Sequence, residues 1–454
     1  MRKAIHKVYD KAGIKSQRTR NIAKHVGFSF LYKGGSIIAN FLLVPLTIKF
    51  LDTENYGIWL TLSSFIAWFS FFDIGLGNGL RNKFAEAKAK GDMRLAQAYV
   101  SSAYFTIGAV SLGLMIVFLG LNFIIDWTKV FNADVSLQRD LGLLMPIVFS
   151  FFCLQLVTKL VTTIYTADQN HSMQGKINFF TQAGSLLAIW LMTLSTKSSL
   201  LLFGIVFSAL PVFILLALNI FAFNGIYKNY KPKMTLWRSE YLRSIFGLGF
   251  VFFIVQISGI VLYSTDNIII SNLFTPADVV PYNIAHKYFS ISIIGFNIIA
   301  APYWSSITEA YHKNEFDWIL KAMKNLKKIV YVFATAILGM VLLSDIFYEF
   351  WINSKVLVSH AVTLLIALFF ILSLYVTPYT IFLNGTGKIR LQALQGVIMA
   401  IVNIPLSLLL AKVFDLGVPG VILSTVICFI PSVILSQLQY QKIITGKAKS
   451  IWNS

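Results

Sequence analysis

Charge is what this chain of 454 residues has least of. Asp, Glu, Lys and Arg make up 13%, about half of the roughly 25% usual in soluble proteins. A soluble protein of this length needs a wet, charged skin around its cores, and the supply is too small to make one. Cysteine is nearly absent as well. Cys153 and Cys428 both lie in apolar runs, so neither a disulfide framework nor a thiolate metal cluster is expected. The histidines are scattered, with none paired at the spacing by which a helix presents two ligands. A Walker-type phosphate loop is missing: Gly385-Thr386-Gly387-Lys388 lacks the glycine five positions before Gly387, which argues against ATP as the chain's own energy source. The alternation of a membrane barrel is missing too.

What is present is apolar. Hydrophobic types fill 57% of the chain, enough for twelve helices at about 20 residues each. Apolar runs between polar breaks put them near 28–50, 57–80, 99–125, 141–165, 177–195, 199–224, 245–272, 279–303, 329–352, 360–383, 391–414 and 417–438. Polar residues interrupt the second and eighth. The expected fold is all-α and integral to a membrane.

The net charge of +19 is read as membrane topology, with no nucleic-acid partner implied. With the N-terminus inside, cytoplasmic segments hold 29 Lys and Arg and the opposite side 6, counting Lys49 and Lys412 at the outer span ends, with Lys33, Lys159 and Lys287 lying within spans. That bias puts both termini in the cytoplasm. The apolar run after the basic stretch Met1 to Lys24 is too long for a signal-peptide core and lacks a small-residue cleavage site, so an uncleaved first span is expected. Lys3, Lys7, Lys11 and Lys15 recur every fourth residue, which fits either a basic helix lying on anionic lipid or a charged disordered tail.

Organisation follows from these spans: a basic tail (1–27), a six-helix lobe (28–224), a basic linker (225–244), a second six-helix lobe (245–438) and a tail (439–454). The lobes show a faint repeat. Glu86 is followed 41 residues later by Trp127, and Glu309 is followed 42 residues later by Trp351; Tyr56 and Tyr282 each open the second span of a half. Six spans return the chain to its starting side, so the halves are expected to relate by a pseudo-twofold along the membrane normal. Two bundles facing a cleft form a transporter's geometry.

The stretch Phe71-Phe72-Asp73-Ile74-Gly75-Leu76-Gly77-Asn78-Gly79-Leu80-Arg81-Asn82, followed by Ala85-Glu86-Ala87, resembles the polysaccharide transporter branch of the MOP flippase superfamily, the O-antigen flippases (Wzx type) in particular. Pro45-Leu46-Thr47 through Tyr56-Gly57 and Asp266-Asn267-Ile268-Ile269-Ile270 add to the resemblance. It implies a non-enzymatic flippase that moves an undecaprenyl-diphosphate-linked oligosaccharide from the inner to the outer leaflet of the bacterial inner membrane. It further implies coupling to an ion gradient, H+ or Na+, no other cofactor, and polysaccharide polymerase machinery as a neighbour.

A lipid-linked sugar diphosphate must carry an anionic head across about 30 Å of hydrocarbon. Fixed cations in a wet cleft meet that need through charge-assisted hydrogen bonds to phosphate. Lys33, Arg81 and Lys159, near the cytoplasmic ends of spans one, two and four, are the candidates; snorkelling to the interface is the plainer reading of each. Asp73 is a partner for Arg81 or Lys33. The alternate glycines 75, 77 and 79 suit either a loosened helix end facing an anion or tight helix packing. Asp266, His286 and Lys287, expected at similar depth on spans seven and eight, form either an ion-coupling group or a structural charge pair. Trp59, Trp68, Trp127, Trp304 and Trp351 are expected in interfacial belts.

Two other functions stay open. Drug or cation antiport calls for acids outnumbering bases in the cleft, the reverse of the Lys33, Arg81, Lys159 and Asp73 set. A membrane polymerase calls for a large outer loop, and the longest here, 126–140, is short; an acyltransferase calls for a buried base, and only His286 is placed for that.

Overall fold

The computed structural model describes residues 17–69, 74–168, 172–195, 197–246, 264–352 and 356–453. It is 88% helix, with no strand among the described residues. The elements in chain order are α1 (Gln17–Leu51), α2 (Thr53–Trp68), α3 (Ile74–Ala89), α4 (Met93–Asn122), α5 (Trp127–Phe131), α6 (Gln138–Thr158), α7 (Leu160–Ala167), α8 (Ser172–Ser195), α9 (Leu200–Asn224) and α10 (Ser239–Phe246). Then come α11 (264–273), α12 (Val279–His312), α13 (Phe316–Leu342), α14 (Ser344–Ile352), α15 (His360–Thr386), α16 (Arg390–Leu408) and α17 (Gly417–Ile444).

Nine helical segments among the described residues are long and apolar enough to cross a bilayer. The second, seventh and eighth expected spans are not among them. The second falls in α2 and α3, on either side of undescribed residues 70–73; the seventh is described only from residue 264; the eighth, α12, is broken up by Asn283, His286, Lys287 and Asn297. Asp73 and the N-terminal lysines Lys3, Lys7, Lys11 and Lys15 lie outside the described residues.

Polar residues set the helix starts. Asp52, Asp92 and Asp126 accept from the backbone N–H groups of Asn55 (2.9 Å), Leu95 (2.9 Å) and Thr128 (3.1 Å). Ser199 and Ser359 do the same for α9 and α15. Such caps satisfy donors that a helix leaves open and are worth about 1 kcal/mol each. Gly387 ends α15 at φ 74°, a backbone conformation that costs glycine little. The Gly-Thr-Gly-Lys stretch is therefore a helix stop.

One connection differs from expectation. The segment 304–328 was expected as a cytoplasmic loop, yet α12 runs on to His312 and α13 begins at Phe316. The lysines that made it look like a loop lie on one side of α13: Lys321, Lys324 and Lys328 are exposed while Ile319, Ala322, Leu326 and Val330 are buried. A helical period was hidden under the charge count.

Contacts group the chain into two units. The first holds residues 1–50, 76–124 and 143–247, and the second 51–75, 125–142 and 248–454. In the first, α9 packs on α8 and α7, and the linker is strapped to α4. Ser101 and Ser102 accept from the backbone N–H of Lys233 (3.0 Å) and Arg238 (3.1 Å), and the Trp237 indole donates to Thr106 (3.0 Å). In the second, α12, α15 and α17 form the centre, with α13, α16 and α2 packed around them. Gly57 on α2 sits so close to the Pro276 carbonyl that a Cβ there would collide with it. Trp59, Trp127 and Trp351 are buried at 6%, 3% and 9% exposure, so these three pack in the core and not in interfacial belts.

Candidate functional site

Lys33, Arg81 and Lys159 all belong to the first unit, and all three side chains are exposed. Their helices explain why. Arg81 follows Leu80 on α3, whose Leu80, Phe84 and Ala87 are buried, so Arg81 and Glu86 face outward. Glu86 accepts from Lys90 (2.7 Å) and Lys83 (3.1 Å), and these bonds hold its carboxyl below the usual carboxylate range. Further along α3, Lys88 pairs with Asp168, which also accepts from the Tyr227 hydroxyl at 3.1 Å.

Lys159 stands where the fourth span breaks. It is the residue between α6 and α7, and Thr162 donates to its carbonyl from three residues on (2.9 Å). The preceding carbonyl, of Thr158, accepts from the side-chain amide of Asn219 on α9 at 2.7 Å. That amide also donates to Leu215 (2.7 Å), and its oxygen accepts from the Tyr104 hydroxyl at 2.8 Å. Non-helical backbone inside a membrane needs such a partner. Asn219, itself bonded by Tyr104, thus satisfies the backbone next to Lys159. Their signal in the sequence was faint: α9 is almost wholly apolar, and Asn219 is one of two amides in it.

The second unit carries the buried charge. Asp266 is 1% exposed. Its carboxylate accepts from the Tyr282 hydroxyl (3.1 Å) and from the Thr425 hydroxyl (3.1 and 3.3 Å). Thr425 in turn accepts from the Asn403 amide at 2.9 Å, and the same amide reaches Ser424 at 3.2 Å, which lies 2.5 Å from Ser407. A string of uncharged hydroxyl and amide groups therefore joins α11, α16 and α17. Beside Asp266, Asn267 donates to Ser64 (2.7 Å) and accepts from Asn283 (2.8 Å), tying α2 and α12 to α11.

Of the residues expected to couple, the structure brings Asp266 and His286 around one void, together with Tyr282 and Thr425. Its volume is about 10 Å³, near the minimum room one water needs. The His286 ring lies 5.0 Å from Phe370 and 6.0 Å from Tyr282, centre to centre. Lys287 is half-buried and is not among the residues lining this void. Thr425 escaped sequence reasoning because it lies 159 residues from Asp266, beyond any local motif.

No family model matches the chain. It is 24% identical over 424 residues to a Salmonella typhimurium protein named "Putative O-antigen transporter", with 89% of this chain and 92% of that protein covered. It is 22% identical to a Yersinia pseudotuberculosis protein named "Putative O-antigen export protein", covering 78% and 81%. Among solved structures, an inward-facing multidrug resistance MATE transporter of the MOP superfamily superposes with TM-score 0.71 at 13% identity, over 92% of this chain and 95% of that one. An outward-facing form gives 0.62, also at 13% identity, over 93% and 96%. At such identity these structures speak for the fold alone. The chain is thus similar over most of its length to proteins named for O-antigen transport and export, and it shares the fold of the multidrug transporters.

Proposed function

We propose that this protein flips an undecaprenyl-diphosphate-linked oligosaccharide, a surface-polysaccharide repeat unit, from the cytoplasmic to the outer leaflet of the bacterial inner membrane. The observation that carries the reading is kinship over nearly the whole chain to proteins named for O-antigen transport and export. The charge pattern supports it. Lys33, Arg81 and Lys159 are exposed in the first unit, where cations suit a diphosphate, and the positive-inside bias puts both chain ends in the cytoplasm. Alternating access carries the head group, and the lipid tail stays in the bilayer.

Ion coupling falls to Asp266. A carboxylate held by two hydroxyls in a near-dry void gains or loses a proton, or exchanges Na+, with no large rearrangement of its partners, and His286 lines the same void. A structural charge pair with Lys287 is the weaker reading, since Lys287 is not among the void-lining residues.

Deleting the gene tests the whole. The expected result is loss of surface polysaccharide and accumulation of a lipid-linked glycan on the cytoplasmic leaflet. Normal polysaccharide with altered drug or cation efflux would instead support the antiport reading, which the fold of the multidrug transporters keeps in view.

A further inference from the structure

The second unit contains a partly open cavity of about 450 Å³ lined by α12, α15, α16 and α17. That is within the range of small-molecule sites, about 300–1,000 Å³, and more than one or two bridging waters fill. Along α15 it runs from Phe369 to Leu383, a length of roughly 21 Å at 1.5 Å per residue. One end reaches His286 and Phe369, which also line the Asp266 void. The other lies by Gln392, next to the α15–α16 turn.

Its lining has a distinct chemistry. Among the described residues there, none is Lys, Arg, Asp or Glu. Phe369, Phe370 and Phe429 supply aromatic surface, aliphatic side chains such as Val376 and Met399 extend the apolar wall, and hydroxyls and carboxamides are set among them. Most of those polar groups are satisfied within the protein: Gln395 donates to Ser432 at 2.8 Å and Thr377 to the Ser373 carbonyl at 2.7 Å. Two are not. The Ser373 hydroxyl and the Gln392 side-chain carbonyl are buried atoms without a hydrogen-bond partner. Leaving both unpaired costs free energy, and both line this cavity.

A wall of aromatic faces, hydroxyls and amides without formal charge fits neither a phosphate nor a bare cation. It fits a neutral polyol, whose ring faces lie on aromatic surface and whose hydroxyls pair with amides. We propose that this cavity is a subsite for the uncharged sugar rings of the cargo, with Ser373 and Gln392 making the direct hydrogen bonds. The proposal rests on the flippase reading above and adds to it a place, separate from the cationic positions of the first unit, where the glycan itself is recognised.

The test uses the full-length protein in detergent and native mass spectrometry. Two probes are titrated: the lipid-linked glycan extracted from cells lacking the gene, and undecaprenyl diphosphate without glycan. The wild type is expected to favour the glycan-bearing lipid by about tenfold, the scale of two modest hydrogen bonds. Ser373→Ala/Gln392→Leu is expected to lose that preference and keep its affinity for the glycan-free lipid, which doubles as the check on folding. Thr380→Trp, which fills the slot without removing either polar group, is expected to do the same. An unchanged preference in both variants means the cavity holds water only and overturns the subsite while leaving the flippase reading intact. If the deletion accumulates no lipid-linked glycan, the flippase reading fails and the subsite falls with it.

Discussion

Asn219→Leu removes one amide from a helix that is otherwise almost wholly apolar, and hydropathy alone would count it as an improvement. The structure argues the reverse. The amide donates to the Thr158 carbonyl at the break before Lys159 and accepts from the Tyr104 hydroxyl. Leucine is close in size, so packing changes little, and the two orphaned groups are the whole effect. Hydrogen bonds between membrane helices are worth about 0.6 kcal/mol on average and at most about 1.7, so losing two predicts about 1–3 kcal/mol. A double-mutant cycle with Tyr104→Phe, read by equilibrium unfolding in mixed micelles, isolates one of them. Tyr104→Phe alone should cost about 0.6 kcal/mol or more, and almost nothing once residue 219 is leucine. Should Asn219→Leu match or exceed the wild type in stability, the account of the α6–α7 break is wrong.

Gly57→Ala is expected to destabilise by about 1–3 kcal/mol, the usual range for overpacking, because the obstructing atom is a backbone carbonyl; a wild-type unfolding midpoint would show that Pro276 moves aside freely. Asp266→Asn keeps the shape and removes the titration, so transport in proteoliposomes should lose its response to the H+ or Na+ gradient. A variant with an unaltered gradient response contradicts the coupling role. The Lys33→Ala/Arg81→Ala/Lys159→Ala variant should reach normal membrane abundance and export no polysaccharide, as seen on gels of surface glycan; wild-type export removes the cationic-site idea. Asp126, outside the spans, is held below the ordinary carboxylate range chiefly by the Thr128 hydroxyl. Its contribution to capping α5 is therefore complete at neutral pH and fades as pH falls below about 4, and the fluorescence of Trp127 should follow it in wild type and not in Asp126→Asn.

What could be read in advance divides along physical lines. Most of the spans were legible because an apolar run long enough for a bilayer has few other uses, and caps such as Ser199 mark where one begins. The start of α13 was not, since Lys321, Lys324 and Lys328 raise the charge count without breaking the helical period. Asp266 and His286 stood out as costly residues in apolar surroundings. Thr425, Asn403 and Asn219 did not, because hydroxyls and amides are common enough in membrane helices to pass unnoticed until a distant helix supplies the partner. The burial of Trp127 and Trp351 was hidden for a similar reason: proximity to a span end does not say which way a ring turns.

The hydroxyl of Thr425 has only one hydrogen. It points at Asp266, and its oxygen receives one hydrogen of the Asn403 amide; the other goes to Ser424, whose own hydrogen is given to the Val421 carbonyl. A neutralised Asp266 no longer demands the hydrogen and the hydroxyl is released to rotate, while an amide nitrogen only donates, so the bonds from Asn403 keep their sense. A single added proton would thus be felt first by Thr425 and Tyr282, the two hydroxyls that face the carboxyl, without any helix having moved.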